Sequence, residues 1–171
     1  MAMDPIMSRN ALECWLYDAI ALRGAPIAEK TMQRLLIPVD GSASSKHAVE
    51  RAGAIAKANP QTKLLLLNVQ QNLERRYVHG LRSQSARKHL AEQGERQTAG
   101  ERALLDRYGC GYEFMIAFGH PAEVIARIAS DKHCSAIIMG SRCLGPLKRK
   151  IFGSVGEAVQ RLADVPVTLV T

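Results

Sequence analysis

The residues of this chain best placed to do chemistry are Gly140-Ser141-Arg142-Cys143 and, after nine intervening residues, Gly153-Ser154. The segment between them carries Lys148, Arg149 and Lys150. Glycine lets a backbone come close to an anion. Free N–H groups and the dipole at a helix start favour negative charge there. With the apolar run Ala136-Ile137-Ile138-Met139 before it and a helix expected from Ser154, the segment reads as a place for phosphate. A tight strand-to-helix connection with a solvated basic face fits the same residues. A Walker-type P-loop is excluded: Gly140 and Gly145 have its outer spacing, but Pro146-Leu147 stand where a lysine and a hydroxyl are needed. Gly109-Cys110-Gly111 falls between a helix and a strand, so it reads as a helix stop rather than a dinucleotide fingerprint.

Asp40 closes an apolar run and precedes Gly41-Ser42. It can accept from an amine or hydroxyl of a ligand, or it can be the turn residue that starts the next helix. His120 has no carboxylate or nucleophile placed near it by spacing and reads as a helix-entry residue. Arg82, Arg87, Lys88 and His89 form a basic run without interleaved aromatics, a solvated face rather than a nucleic-acid groove. His133, Cys134 and Cys143 lack zinc-ligand spacing. No general base or metal–carboxylate cluster is evident, so the sequence assigns no catalytic residue and no metal site.

The elements that must position these residues belong to one main domain, residues 33–171, behind an N-terminal helical extension or leader, residues 1–32. In the extension, Leu12, Trp15, Leu16, Ala19 and Ile20 form one face of a helix expected over 10–23. That face must cover this domain, a second subunit or a protein partner. Leu35–Val39 is a first strand; Ser42 can cap a helix to about Ala58, which Asn59-Pro60 stops. Leu64–Val69 is a continuous apolar strand, buried on both faces. A polar segment over 70–82 leads to a single charged helix over about 83–107, weakened by Gly94 and Gly100 and closed by Gly109. Tyr112–Phe118 is a third strand, and Pro121 opens a helix to about Lys132. Ser135–Met139 is the fourth strand. Ser154-Val155-Gly156-Glu157 has capping-box spacing for a last helix, and Val167–Val170 is the final strand. Such alternation implies right-handed crossovers in an open parallel α/β sheet with ligands at the carboxyl ends of strands.

The composition agrees. Hydrophobic residues make up 47% and aromatics 5%, so the core is mostly aliphatic, as suits helices on a parallel sheet. The net charge of +7 suits an anionic ligand. Cys14, Cys110, Cys134 and Cys143 contain no CxxC pair, which fits free thiols in the cytoplasm. Asp4, Glu13 and Asp18 exclude a signal peptide, and no stretch approaches the roughly 20 apolar residues of a membrane span.

Taken together, Arg34-Leu-Leu-Ile-Pro-Val-Asp-Gly-Ser42, Gly119-His-Pro-Ala-Glu-Val-Ile125, Met139-Gly-Ser-Arg142, Gly153-Ser-Val155 and Val165-Pro-Val-Thr-Leu-Val170 resemble the universal stress protein (UspA-like) family across about residues 33–171. The resemblance implies a five-stranded parallel sheet of order 3-2-1-4-5, with helices on both faces, and a homodimer through the last strand. In the nucleotide-binding branch it implies ATP, with Mg, at the carboxyl ends of strands one and four. Pro38, Val39 and Asp40 would meet adenine, and Val69 would line its far side. Gly140, Gly153, Ser154 and Val155 would hold ribose and phosphates, beside Met139, Arg142 and Cys143. There is one departure: Cys143 stands at the second glycine of that branch's Gly-x-x-Gly, where a side chain occupies the point of backbone approach and a positive φ would be strained. The implied function is a dimeric stress-response regulator that binds ATP or a related adenine nucleotide without turnover. The alternatives are a dimer of the non-binding branch acting through protein contacts, and a slow nucleotide hydrolase or phosphotransferase.

Overall fold

The computed structural model describes residues 33–71, 84–141 and 154–171. The expected helix over 10–23, most of the polar segment after the second strand, and the basic loop with Arg142, Cys143 and Gly153 lie outside the described residues.

Five strands form one parallel sheet: β1 (Arg34–Pro38), β2 (Lys63–Gln70), β3 (Tyr112–Phe118), β4 (Ala136–Gly140) and β5 (Val167–Val170). Their order is β3-β2-β1-β4-β5, as the family resemblance implied. The chain therefore leaves β1 toward β2, returns from β3 across the sheet to β4, and reverses its direction of travel between β1 and β4. That reversal sets the crevice at the carboxyl ends of β1 and β4.

Helices α1 (Ala43–Ala58), α2 (Gln84–Gln97), α3 (Ala99–Tyr108), α4 (Pro121–Asp131) and α5 (Ser154–Leu162) complete the described elements. Ser42 caps α1, its Oγ accepting the Ser45 N–H at 3.2 Å. Ala48, Val49 and Ala52 on its inner face are fully buried, and these small side chains let the helix lie close on β4 and β1. Gly109 ends α3 in the left-handed conformation, φ 66°. Pro121 sits in the first turn of α4, behind His120. Because successive residues of a strand face opposite ways, Leu35, Ile37, Leu64 and Leu66 join the core with α1 and α3. Leu36, Leu65 and Ile137 join the core with α4 and α5. No helix among the described residues is long and apolar enough to cross a membrane.

One local expectation is corrected. The single helix over 83–107 is broken at Thr98, which leaves helical geometry at φ −101° and ψ 8°. Its hydroxyl donates to the Gly94 carbonyl at 2.8 Å, a back-bond that competes with regular helix geometry. The last helix is described from Ser154 onward. Within it, Glu157 accepts from Arg161 one turn on at 3.2 Å.

Candidate functional site

A cavity of about 560 Å³ opens at the carboxyl ends of β1, β2 and β4. Its apolar wall comes from strand ends and two helices: Pro38, Val39, Leu67, Val69, Met139 and Leu169, with Pro121 and Ile125 from α4 and Val155 from α5. Its polar wall is mostly hydroxyl: Ser42, Ser44 and Ser45 from the start of α1, Ser141 after β4, and Ser154 at the start of α5. Two helix N-termini therefore meet at one cavity, and each offers N–H groups that the helix itself cannot pair. Among the described lining residues none is a lysine, arginine or histidine. Among the described residues, helix ends and hydroxyls supply the attraction for an anion there.

The residues predicted from sequence are gathered here. Pro38, Val39, Asp40, Val69, Met139, Gly140, Ser154 and Val155 all line the cavity. Arg142, Cys143 and Gly153 lie outside the described residues. Asp40 takes the turn role, one of its two expected uses. Its Oδ1 accepts the Ser42 N–H at 3.1 Å, which shapes the turn into α1, while the residue remains exposed and borders the cavity.

Gly140 has a stricter reason to be glycine than approach to a phosphate. A Cβ at Gly140 would lie 2.1 Å from the Ser44 carbonyl oxygen and 2.7 Å from the Ser45 nitrogen. Its lack of a side chain lets the end of β4 touch the first turn of α1. That contact brings the serines of α1 to the cavity.

Sequence reasoning missed Ser44, Ser45 and Glu101. Glu101 is fully buried although it lies in a helix expected to be charged. The Ser45 hydroxyl donates to its Oε1 at 2.6 Å, tying α3 to the α1 turn that walls the cavity. The Ser42 and Ser44 hydroxyls lie 3.0 Å apart and can bond with either as donor. The Ser141 hydroxyl is buried without a hydrogen-bond partner among the described residues. The legible signal was the run Ser42-Ala43-Ser44-Ser45 directly after a strand end: serines in a first helical turn at a carboxyl edge.

The described groups with shifted protonation lie at the other end of the sheet. Burial pushes the Cys134 thiol up, against the opposing pull of the Arg34 guanidinium. Burial also raises the Tyr112 phenol, with the Asp106 carboxylate adding to it. Neither residue lines the cavity.

Comparison with known proteins adds the following. The model of the universal stress protein family matches residues 31–171. A Staphylococcus aureus (strain USA300) protein named for that family is 30% identical over 146 residues, 82% of this chain and 84% of its own. A universal stress protein solved in complex with cAMP is similar in fold, with a TM-score of 0.64 and 23% identity over 81% of this chain and 97% of its own. The Archaeoglobus fulgidus universal stress protein in complex with dAMP has a TM-score of 0.57 and 18% identity, covering 84% of this chain and 100% of its own.

Proposed function

This chain belongs to the universal stress protein family, and from that premise we propose that its crevice binds ATP or a related adenine nucleotide, with the protein acting as a dimeric stress-response regulator in the cytoplasm. The observation that carries the proposal is the meeting of an apolar slot with two helix N-termini in one cavity of about 560 Å³. That volume suits a small organic ligand, and the two walls suit the two halves of a nucleotide. The base packs between Pro38, Val39 and Val69, the ribose lies over Gly140 and Ser141, and the phosphates meet the N-terminus of α5 at Ser154. A Mg ion would accompany a triphosphate, held mainly by phosphate oxygens and water. Two structural relatives that hold cAMP and dAMP support an adenine nucleotide as the ligand.

Dimerisation is proposed through β5. Among the described strands only β4 flanks it, which leaves its outer edge as a template for another strand. The α5 helix packs on it, a Cβ at Gly156 coming within 3.6 Å of Leu169. Leu162, at the end of that helix, is 50% exposed and offers apolar surface to a two-fold partner.

The test is mass spectrometry of ligand released from freshly purified protein, followed by calorimetry with ATP, AMP and GTP. An adenine nucleotide released, or ATP or AMP bound at micromolar affinity ahead of GTP, supports the proposal. No nucleotide released and no heat with any of the three rejects it.

A further inference from the structure

Behind the cavity wall runs a chain of amides, buried at Asn68 and Gln70 and exposed at Gln97. The Asn68 side chain is 2% exposed and donates from Nδ2 to the Val39 carbonyl at 2.8 Å. Gln70 Nε2 donates to Asn68 Oδ1 at 2.6 Å and to Gln97 Oε1 at 3.0 Å. Because an amide nitrogen only donates and its oxygen only accepts, the bond from Gln70 fixes which end of Asn68 faces Val39. Gly94 of α2 makes the room: a Cβ there would lie 2.6 Å from Asn68 Oδ1 and 3.0 Å from Gln70 Nε2.

The Val39 carbonyl matters because of where it stands in the ladder. The Val39 N–H donates to the Leu67 carbonyl at 2.9 Å, so Leu67 turns its backbone groups toward β1. The Gly119 N–H donates to the Gln70 carbonyl at 3.0 Å, so Gln70 turns its own toward β3. Alternation along a parallel strand then directs the Val69 N–H and C=O toward β1. The next rung would join the Val69 N–H to the Val39 carbonyl. That rung is not made: the register of β1 on β2 ends at Pro38 with Leu67, and the carbonyl is taken by Asn68. Immediately beyond, Gly41 at φ +82° turns the chain into α1, seated so closely that a Cβ would lie 2.6 Å from the Gln97 carbonyl oxygen.

We infer that Asn68 is a positioning residue: by holding the Val39 carbonyl it ends the β1–β2 ladder one rung early and keeps the Val69 backbone N–H and C=O open to the base of the bound nucleotide. Gln70 and Gln97 hold Asn68 in that orientation. The inference rests on the nucleotide reading of the cavity for its ligand, but not for the missing rung. Backbone groups presented at a strand end read a base edge by hydrogen bonding, so their availability sets base recognition rather than phosphate attraction.

The test uses the full chain and two variants, Asn68→Asp and Gln70→Leu. Asn68→Asp keeps the acceptor for Gln70 and removes the donor to Val39. Gln70→Leu leaves Asn68 in place and releases its orientation. Folding is checked by circular dichroism, and Gln70→Leu carries both measurements should Asn68→Asp not fold. The first measurement is amide hydrogen exchange by NMR without ligand. The Val69 N–H is expected to exchange at least about tenfold faster than the Leu65 N–H in the wild type, and to slow toward it in the variants as the rung closes. The second is NMR titration with AMP and with ribose 5-phosphate. The variants should lose about tenfold in AMP affinity, the scale of one hydrogen bond, with ribose 5-phosphate affinity unchanged. A residue that only supports the fold would lower both affinities together. A protected Val69 N–H in the wild type, equal Val69 exchange in wild type and variants, or parallel loss of both ligands would overturn the inference. A wild type that binds no AMP would refute the nucleotide reading alone, and the exchange measurement would still decide whether Asn68 withholds the rung.

Discussion

Replacing Gly140 with alanine is the sharpest perturbation of the geometry that builds the cavity. The added Cβ would stand 2.1 Å from the Ser44 oxygen and 2.2 Å from the Ser44 carbonyl carbon, whereas ordinary contact begins near 3.4 Å. Those neighbours are backbone atoms in the first turn of a 16-residue helix, so no rotamer change relieves the overlap. The end of β4 and the start of α1 would have to separate by about 1.3 Å, the difference between the close and the ordinary contact. Overpacking of this kind costs about 1–3 kcal/mol, and a clash with fixed backbone belongs at or above the upper end. We expect Gly140→Ala to lose about 3 kcal/mol, a large share of the roughly 5–15 kcal/mol that keeps a domain folded. Urea denaturation measures this directly, as a lowered midpoint at unchanged slope. The folded fraction should also bind nucleotide weakly, because Ser42, Ser44 and Ser45 move with α1. Gly111→Ala is the control: no atom lies within 4 Å of its added Cβ, so it should stay within about 0.5 kcal/mol of wild type. A Gly140→Ala protein as stable as the Gly111→Ala protein would refute the packing argument.

Other consequences can be measured independently. Asp40→Ala should leave the fold intact and weaken adenine-nucleotide binding by about 1.5–3 kcal/mol through loss of a charged acceptor, and unchanged affinity by calorimetry would remove Asp40 from the site. Cys143→Gly should tighten binding by restoring the glycine of the family's loop, whereas equal or weaker affinity would show that Cys143 is accommodated. The raised Cys134 thiol keeps its proton in the folded state after the unfolded chain has lost it, so folding stability is fully present below about pH 8.5 and falls as pH rises through the raised value. Cys134→Ala should flatten that part of the denaturation-against-pH profile, and an unchanged slope would assign it to other groups. Deleting residues 166–171 should abolish the dimer or cause aggregation, while deleting 1–31 should leave it; light scattering that finds a wild-type monomer would refute the β5 interface.

Much of the fold was legible because parallel strands buried on both faces appear as unbroken apolar runs. Leu64–Leu67 could belong to little else, and Asp40, Gly41 and Ser42 mark the turn that follows β1. The sheet order came from the family resemblance rather than from the runs, since alternation alone does not say which strand ends are neighbours. The cavity residues at strand ends were found for the same reason that strand ends were visible. What stayed hidden depends on distant contacts. The break at Thr98 rests on a hydroxyl that prefers the Gly94 carbonyl to solvent, and threonine inside a charged helix gives no notice of that choice. Glu101 drew no notice because nothing local says that Ser45, 56 residues earlier, supplies its partner. Gly94 looked only like a weak point in a helix; its purpose, room for the Asn68 and Gln70 amides, exists only once α2 lies on β2.

The central claim is that an adenine nucleotide occupies the crevice where β1 and β4 part, and a crystal structure of the protein grown with AMP or ATP tests it most directly. The account predicts the base beside Pro38 and Val69, a hydrogen bond from the Val69 backbone to its edge, and phosphate oxygens at the N-terminus of α5 by Ser154. A nucleotide bound elsewhere, or a crevice left empty at saturating concentration, would contradict it.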